Sequence, residues 1–308
     1  MPETEFGYIN WLQKYLKYGK DVVIGSGDDC AVVKLKTQNA ERTTLLYATT
    51  DTIVEGVDFK KATPEQIGYK SVAISLSDLA AMGGGFTKIY ALISASIPKN
   101  RAKPSFTHPL FKGMHSICKR FGVQIIGGDI SSTKGPITIT STLLGISKSK
   151  PVKRSGACAG DAILVTGSLG GSILGKHLSF TPRLRESVRL SSRYKINSMI
   201  DISDGLVADL NHILEASKFG AVLDELSIPI SQDAYKLKGN SLQHALTDGE
   251  DFELLFTTPL KEAVKIIRDK TLKTPVSIIG MITKQKGIHL LSKQGETSNI
   301  KPQGFTHF

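Results

Sequence analysis

The sequence lacks the features of a secreted, membrane-spanning or zinc-binding protein. Its three cysteines, Cys30, Cys118 and Cys158, are widely spaced and form no CxxC pair. This spacing argues against a disulfide framework or a zinc site and favours three small buried side chains. No apolar run reaches the roughly 18 residues of a membrane span, and the N-terminus has no basic start followed by an apolar stretch. We therefore expect a cytoplasmic protein without a membrane partner.

Several catalytic motifs are also missing, among them GxSxG, HExxH and the HRD and DFG set of protein kinases. His177, His212 and His244 are scattered, and we expect surface or capping roles for them. The segment GGSILGKH at 170–177 nearly matches a P-loop, but His177 stands where the motif needs a hydroxyl to hold magnesium. We expect a packing or flexible glycine segment there, so Lys176→Ala should change turnover little.

The chain is short of acidic residues, with 28 against 39 lysines and arginines, for a net charge of +11. Such a charge suits polyanionic partners, either phosphate-bearing metabolites or nucleic acid. The sequence has no basic stretch interleaved with aromatic residues and no zinc-finger or RRM signature. We therefore expect no nucleic-acid partner, although a steep salt dependence of DNA or RNA binding would favour that alternative.

The length of 308 residues suits two domains of roughly 150 residues each. Alternating strand and helix patterns predict an α/β chain. A basic, serine-containing link over 147–155 separates the halves, so we predict domains at 1–147 and 148–308. The patterns predict helices over 5–17, 64–82, 105–121, 184–195, 206–219 and 259–270, and strands over 30–35, 44–49, 88–96, 123–126, 137–146, 162–166, 252–257 and 276–281.

Carboxylates recur beside small residues at the predicted ends of strands and helices. The segments are 25–30, 49–52, 75–79, 126–129, 201–205 and 249–251. Asp51 is expected to end an apolar strand, and Asp78 lies within an apolar helical run. Buried carboxylates are costly unless a cation compensates them, and magnesium prefers oxygen ligands shared with phosphates.

Each segment alone has a simpler explanation. Gly-Asp pairs mark turns, and Asp204 would make a good N-cap for the helix that follows it. Six segments of one kind nevertheless favour a site for magnesium and phosphate, with glycine backbone N–H groups close to phosphate oxygens.

Together these segments resemble the thiamine-monophosphate kinase family, which belongs with aminoimidazole ribonucleotide synthetase and selenophosphate synthetase. The likeness covers most of the chain. Its most specific stretches are GDDCA at 27–31, TTDTIVEG at 49–56, LSDLAAMG at 76–83, ISDGL at 202–206 and GEDFEL at 249–254.

The resemblance implies an α/β fold in which the N-terminal sheets of two subunits pair into a barrel across a homodimer. Each C-terminal α/β domain would pack beside it, with ATP between the domains. It also implies that ATP and thiamine monophosphate give ADP and thiamine diphosphate. The acceptor phosphate is already anionic, so we expect direct in-line transfer assisted by several Mg²⁺ ions, without a strong base or a phospho-enzyme.

Site residues follow from the same resemblance. The positions that hold magnesium in the family correspond to Asp29, Thr49, Thr50, Asp51, Asp78, Asp129, Asp201 and Asp204. Of these, Asp51, Asp129 and Asp204 are predicted to be catalytic. Nucleotide contacts correspond to Gly128, Asp129, Arg154 and Ser203, and acceptor contacts to Asp58, Glu250 and Phe305.

The sequence also departs from the family pattern. Asp58 stands where the family often has histidine, and the segment between Gly170 and Pro182 is short. A superfamily relative that acts on another phosphorylated acceptor, such as a purine precursor, therefore remains the alternative. The residues before Gly25 contain no cysteine, unlike selenophosphate synthetases with their reactive cysteine or selenocysteine.

Overall fold

The computed structural model describes residues 5–35 and 43–305 of the chain. Among these, the first half forms a sheet with strand order β1-β2-β3-β6-β4-β5. Neighbouring strands are antiparallel except β4 and β5. The strands are β1 Val22–Ile24, β2 Ala31–Leu35, β3 Thr44–Val54, β4 Phe86–Pro98, β5 Val123–Thr133 and β6 Thr138–Ser147.

The second half forms a sheet with strand order β13-β12-β9-β11-β7-β10-β8. It is antiparallel except between β12 and β9. The strands are β7 Asp161–Thr166, β8 Ser198–Asp201, β9 Gly220–Asp224, β10 Leu254–Pro259, β11 Val276–Thr283, β12 Ile288–Leu291 and β13 Thr297–Ile300. The predicted α/β class is confirmed, whereas the pairing of two chains into a barrel stays a prediction.

The described helices are α1 Glu5–Gln13, α2 Pro64–Ala81, α3 Pro104–Phe121, α4 Leu184–Arg193, α5 Leu206–Ser217, α6 Ser241–Thr247 and α7 Leu260–Ile267. Helix α2 begins as predicted, because Thr63 and Gln66 form a capping box and Pro64 takes the first helical position. It ends at Ala81, and Met82 is its C-cap before Gly83, whose φ is +67°. None of the described helices has the length and apolar character needed to cross a membrane.

Helix α2 lies between the two sheets. It contacts β3 and β6 on one side and α4 and β8 on the other. Its buried Leu76 and Leu79 belong to a hydrophobic cluster that also contains Leu164 and Phe256 of the second sheet. The two halves of the chain therefore share a core through this helix. Because α2 packs against elements of both halves, it is buried on nearly all sides.

Helices α2 and α3 approach each other through two glycines. A Cβ atom on Gly68 would lie 1.9 Å from the carbonyl oxygen of Leu110, and one on Gly113 would lie 1.9 Å from that of Glu65. Only glycine permits this backbone contact, and α3 thereby fixes the position of α2.

Several local predictions need correction. Strand β3 continues to Val54, so Asp51 lies inside a strand, and β5 extends through the glycines at 127 and 128. For the glycines of β5, a sheet face open to solvent tolerates small residues. Cys158 is exposed rather than buried. His177 is buried, with Nδ1 2.8 Å from the carbonyl oxygen of Ser172.

Candidate active site

Helix α2 and strand β3 hold two aspartates by hydrogen bonds from hydroxyl groups. Ser75 Oγ donates to Asp51 Oδ2 at 2.7 Å, and the Thr49 hydroxyl donates to Asp78 Oδ2. Thr49 and Asp51 are two residues apart on β3, so both side chains lie on the sheet face that packs against α2.

Two further aspartates reach the same place from other elements. Ser77 Oγ on α2 donates to Oδ2 of Asp201, at the end of β8, at 2.5 Å. Asp29 lies before β2, and the Arg154 guanidinium binds its Oδ1 at 2.7 Å. Carboxylate oxygens of Asp29, Asp78 and Asp201 lie within 4.8 Å of one another. Both halves of the chain thus supply carboxylates to one place between the sheets.

Asp29, Asp51, Asp78 and Asp201 are termed the aspartate cluster below. Among the described residues, Arg154 is the one cation paired with it, and the buried Oδ2 of Asp29 has no hydrogen-bond partner. Excess buried negative charge is costly unless cations offset it. An orphaned carboxylate oxygen among other carboxylates fits a hard cation such as magnesium.

Burial raises the pKa values of three members of the aspartate cluster, Asp51, Asp78 and Asp201. It raises the pKa of Asp201 to about 7, and the nearby charge of Asp29 adds to the effect. Burial, reinforced by the charges of Asp51 and Asp201, raises the pKa of Asp78 well above its usual value. The pKa of Asp51 is also raised, mainly by burial. Cation binding to such groups must displace protons.

A second acidic group lies at the turn between β8 and α5. Oxygen or nitrogen atoms of Asp204, Asp209 and His212 lie within 4.8 Å of one another. The buried Asp209 accepts the backbone N–H groups of Asp204 at 3.0 Å and Gly205 at 3.1 Å. The predicted N-cap role of Asp204 is wrong, because Gly205 occupies the cap and Asp209 satisfies these N–H groups from within the helix.

Thr50 and Asp129 lie on the other, outer face of the first sheet. Thr50 Oγ1 is 2.9 Å from Thr142 Oγ1, and Asp129 is exposed, in register with Ser94 of β4. Strands β4 and β6 separate Asp129 from β3, about 14 Å at the usual strand spacing. Within one chain, Asp129 therefore lies apart from Asp201, although the family resemblance implies that both hold magnesium.

The predicted nucleotide contacts lie on three different elements. Arg154 borders the aspartate cluster, and its backbone N–H donates to Asp28 Oδ1 at 2.9 Å. Ser203 lies in the β8–α5 turn. Gly128 lies on β5, where a Cβ atom would be 1.8 Å from the carbonyl oxygen of Ile93. This position therefore requires glycine for the contact between β4 and β5.

The β8–α5 turn also holds two of the three predicted acceptor contacts. The Glu250 N–H donates to the Ser203 carbonyl at 2.6 Å, and the Phe305 N–H donates to the Asp204 carbonyl at 3.0 Å. Glu250 has a φ of +64°, a left-handed conformation that costs roughly 1–2 kcal/mol outside glycine. Such strain persists where surrounding structure enforces it, often in binding loops.

Asp58, the third predicted acceptor contact, uses its carboxylate within its own turn. Asp58 Oδ2 accepts the Val54 N–H at 2.6 Å. Its backbone carbonyl accepts a hydrogen bond from Lys70 Nζ at 2.6 Å, and the same ammonium pairs with Glu250. The sequence interpretation missed Lys70, although a lysine inside the apolar run of α2 was a signal.

Two other neighbours of the site were also missed. Asp28 adjoins Asp29, and burial raises its pKa to about 6. Asp209 shapes the β8–α5 turn, as described above. The signal for Asp28 was the acidic pair itself, whereas nothing in the local sequence distinguishes Asp209 from a surface residue of a helix.

The P-loop-like segment belongs to a different cluster, termed the charge-balanced cluster: Lys176, Arg183, Asp251 and Glu253. The Arg183 guanidinium binds both Glu253 oxygens, at 2.6 and 2.7 Å. Lys176 Nζ is 3.0 Å from Glu253 Oε1 and 3.5 Å from Asp251 Oδ1. Lys176 therefore neutralises carboxylates of its own chain.

The backbone of this segment does not form a phosphate cradle. Short 3-10 turns over Ser172–Leu174 and Lys176–Leu178 take the place of the α-helix that follows a P-loop. A Cβ atom on Gly170 would lie 2.7 Å from the backbone nitrogen of Ala245. The expected packing role of the glycines agrees with this contact.

Cys30 lies beside the aspartate cluster but is poorly suited to act as a nucleophile. Its side chain is buried. Burial, with the charges of Asp78 and Asp29, raises the pKa of its thiol well above the usual value. A protonated, enclosed thiol is unreactive, which disfavours chemistry of the selenophosphate synthetase type.

Comparison with known proteins identifies two matching family models. The model for the N-terminal domain of AIR synthase related proteins matches residues 27–147. The model for their C-terminal domain matches residues 158–293. Both sheets thus carry the pattern of one family, and the aspartate cluster draws on both matched regions.

Individual relatives match along nearly the whole chain. Thiamine-monophosphate kinase of Rhodopirellula baltica is 36% identical over 98% of this chain and 97% of its own. The structure of AaThiL complexed with AMPPCP and TMP has a TM-score of 0.82 at 30% identity, over 99% of this chain and 97% of that one. Thiamine-monophosphate kinase from Stenotrophomonas maltophilia K279a has a TM-score of 0.74 at 29% identity, over 96% and 98%. The chain therefore belongs to the thiamine-monophosphate kinase family of AIR synthase related proteins.

Proposed function

We propose that this protein transfers the γ-phosphoryl group of ATP to the phosphate of thiamine monophosphate, giving ADP and thiamine diphosphate. The observation that carries the proposal is the aspartate cluster, where buried carboxylates from both sheets outnumber the paired cations. Family membership supports the reaction, and a relative that binds AMPPCP and TMP supports the substrates.

The residues of the aspartate cluster fit Mg²⁺, and Thr49 adds a hydroxyl oxygen beside them. When bound, magnesium supplies positive charge between two polyanionic phosphates. We assign Asp204 to the same set, reached from the β8–α5 turn. Asp51, Asp129 and Asp204 are the proposed catalytic ligands.

The chain's own residues then orient the two substrates. Arg154, Ser203 and Gly128 are proposed to contact the nucleotide, and Asp58, Glu250 and Phe305 the acceptor. The β8–α5 turn links both groups, because its carbonyls hold the loop of Glu250 and the segment of Phe305. The acceptor oxygen is already anionic, so direct in-line transfer needs no general base.

We also propose that the protein works as a homodimer. Leu92 is exposed on the outer face of the first sheet, and the edge strand β5 exposes Ile126 and Ile130. Apolar residues grouped on an open sheet face favour association. This face carries Thr50 and Asp129, so a second chain would enclose these two proposed ligands.

Two further assignments concern the whole chain: its domains and its location in the cell. We propose a division into a metal- and ATP-binding dimerisation domain, 1–147, and a domain that completes the site, 148–308. A cytoplasmic location fits a reaction that consumes ATP.

The test is to combine the protein with ATP and Mg²⁺ and offer thiamine monophosphate, thiamine and phosphorylated purine precursors separately. We expect ADP release and a product with the mass of thiamine diphosphate from thiamine monophosphate alone. Product from a purine precursor instead would support another superfamily activity. A covalently phosphorylated protein would contradict direct transfer.

A further inference from the structure

We propose that Lys70 is a positioning residue that holds the acceptor side of the active site in its binding geometry. The inference rests on the proposed function. The Lys70 side chain is 1% exposed, and a buried ammonium group is costly unless it is paired. It contacts two partners, the carboxylate of Glu250 and the carbonyl oxygen of Asp58 at 2.6 Å.

The two partners of Lys70 come from distant parts of the chain. Asp58 lies in the turn after β3 of the first sheet, and Glu250 in the loop before β10 of the second. Both are proposed acceptor contacts. One ammonium group on α2 therefore fixes the relative position of two segments that must face the same substrate.

The backbone of Glu250 is held independently of Lys70. Its N–H donates to the Ser203 carbonyl at 2.6 Å, and its φ is +64°. Its carboxylate differs, since Lys70 is its one hydrogen-bond partner among the described residues. Lys70 thus sets the direction of the carboxylate, while the loop sets the position of its Cα atom.

This arrangement also determines the electrostatic character of the acceptor side. Because Lys70 neutralises Glu250, the pair carries no net charge. The Glu250 side chain is 28% exposed, so it can still accept a hydrogen bond from a bound ligand. The Glu250 carboxylate then recognises the acceptor substrate by accepting an oriented hydrogen bond from it, and does not act as a free counter-ion.

The test measures KM for thiamine monophosphate and for ATP in four variants: Lys70→Met, Lys70→Arg, Glu250→Gln and the double variant Lys70→Met/Glu250→Gln. Loss of orientation should raise KM for thiamine monophosphate about tenfold or more in Lys70→Met, with KM for ATP within about twofold. Lys70→Arg keeps the charge and should recover part of the loss. The double variant should be no worse than its worse parent, because Lys70 acts through Glu250.

Arg189→Met is the matched control. It breaks a partly buried ion pair with Asp269 at 3.1 Å, remote from the proposed acceptor contacts, and should lower Tm with both KM values unchanged. Equal changes in both KM values in Lys70→Met, a loss of Tm alone, or additive effects in the double variant would overturn the inference. If Lys70→Met does not fold, an unchanged acceptor KM in Glu250→Gln would overturn it.

Failure of the inference is distinguishable from failure of the proposed function. Wild-type protein that makes no thiamine diphosphate would overturn the proposed function and this inference with it. Active wild-type protein whose acceptor KM is insensitive to Lys70 would overturn the inference alone.

Discussion

The aspartate cluster and the charge-balanced cluster both bury acidic side chains, yet they differ in what opposes the charge. In the first, four carboxyl groups have one paired cation, Arg154, and an oxygen of Asp29 is without a partner. In the second, two carboxylates face two cations, and both oxygens of Glu253 accept charged hydrogen bonds. Within the described part of the chain, Asp251 Oδ1 has no hydrogen-bond partner, but it lies 3.5 Å from the ammonium group of Lys176. The first cluster therefore carries excess negative charge, whereas the charges of the second are matched.

This difference separates a binding site from a structural contact. A buried ion pair with matched charges meets its own electrostatic needs and serves the fold. A group of carboxylates with too few cations is incomplete without a ligand that supplies positive charge. The four predictions below test this distinction.

The largest expected effect is on turnover in the aspartate cluster. Asp51→Asn should lower kcat about a thousandfold or more, because it removes a ligand that stabilises charge during transfer. The free energy of unfolding should stay equal or rise, since burial disfavours the Asp51 charge, as its raised pKa indicates. ADP release and urea denaturation measure the two quantities.

Asp233→Asn is the control for Asp51→Asn. Asp233 is on the surface, paired with Lys236, and its replacement should leave both kcat and stability nearly unchanged. Normal turnover in Asp51→Asn, or a loss of stability that accounts for its inactivity, would contradict the assignment of the aspartate cluster as a binding site.

The charge-balanced cluster should show the reverse pattern. Glu253→Gln should lower the free energy of unfolding by about 3–5 kcal/mol, because it leaves Arg183 and Lys176 without their carboxylate. Turnover per folded molecule should fall far less than in Asp51→Asn. Urea denaturation and an assay at a temperature where the variant is folded test this.

Lys176→Ala tests the same comparison at a partly exposed position of the charge-balanced cluster. Lys176 is 26% exposed, so its removal should lower the free energy of unfolding by only about 1–2 kcal/mol with nearly unchanged kcat. If Lys176→Ala abolished turnover in folded protein, the segment at 170–177 would act as a phosphate-binding loop and the comparison would fail.

The smallest expected effect is a pH-dependent response of Tm to magnesium. The folded-state pKa of Asp201 is about 7, against about 3.9 in an unfolded chain. The folded protein thus binds this proton more tightly, so metal-free stability should fall as pH rises from about 4 to 7. Magnesium binds the deprotonated form, so it should raise Tm more at pH 8 than at pH 6.

Thermal scans in EDTA and in Mg²⁺ check this response, with Asp78→Asn as the comparison. Losing one ligand should reduce the rise in Tm at both pH values. A rise in Tm that is independent of pH and unchanged in Asp78→Asn would show that magnesium binds elsewhere.

The local sequence was sufficient to predict the features that depend on the types of residue within one segment. The start of α2 was predictable because a capping box and a proline encode it. The aspartates at 29, 51, 78 and 201 were predictable as a group because few folds tolerate so many carboxylates beside apolar runs. These aspartates form one cluster because the segments that carry them meet between the two sheets.

Features that depend on register and on distant contacts were not predictable in this way. The length of β5 decides which sheet face Asp129 occupies, and a strand of polar and glycine residues gives no periodic signal for its end. The partners of Lys70 come from segments 12 and 180 residues away. The short strands β12 and β13 near the C-terminus have little alternation to reveal them.

Gly68 and Gly113 limit how this sequence can be diversified. Even alanine at either position would place a methyl carbon 1.9 Å from a carbonyl oxygen, so the helices would have to separate. Because α2 carries Ser75, Ser77 and Asp78, such a separation would displace several ligand-orienting groups together. Variant libraries should therefore keep both glycines fixed, although neither lies in the substrate site.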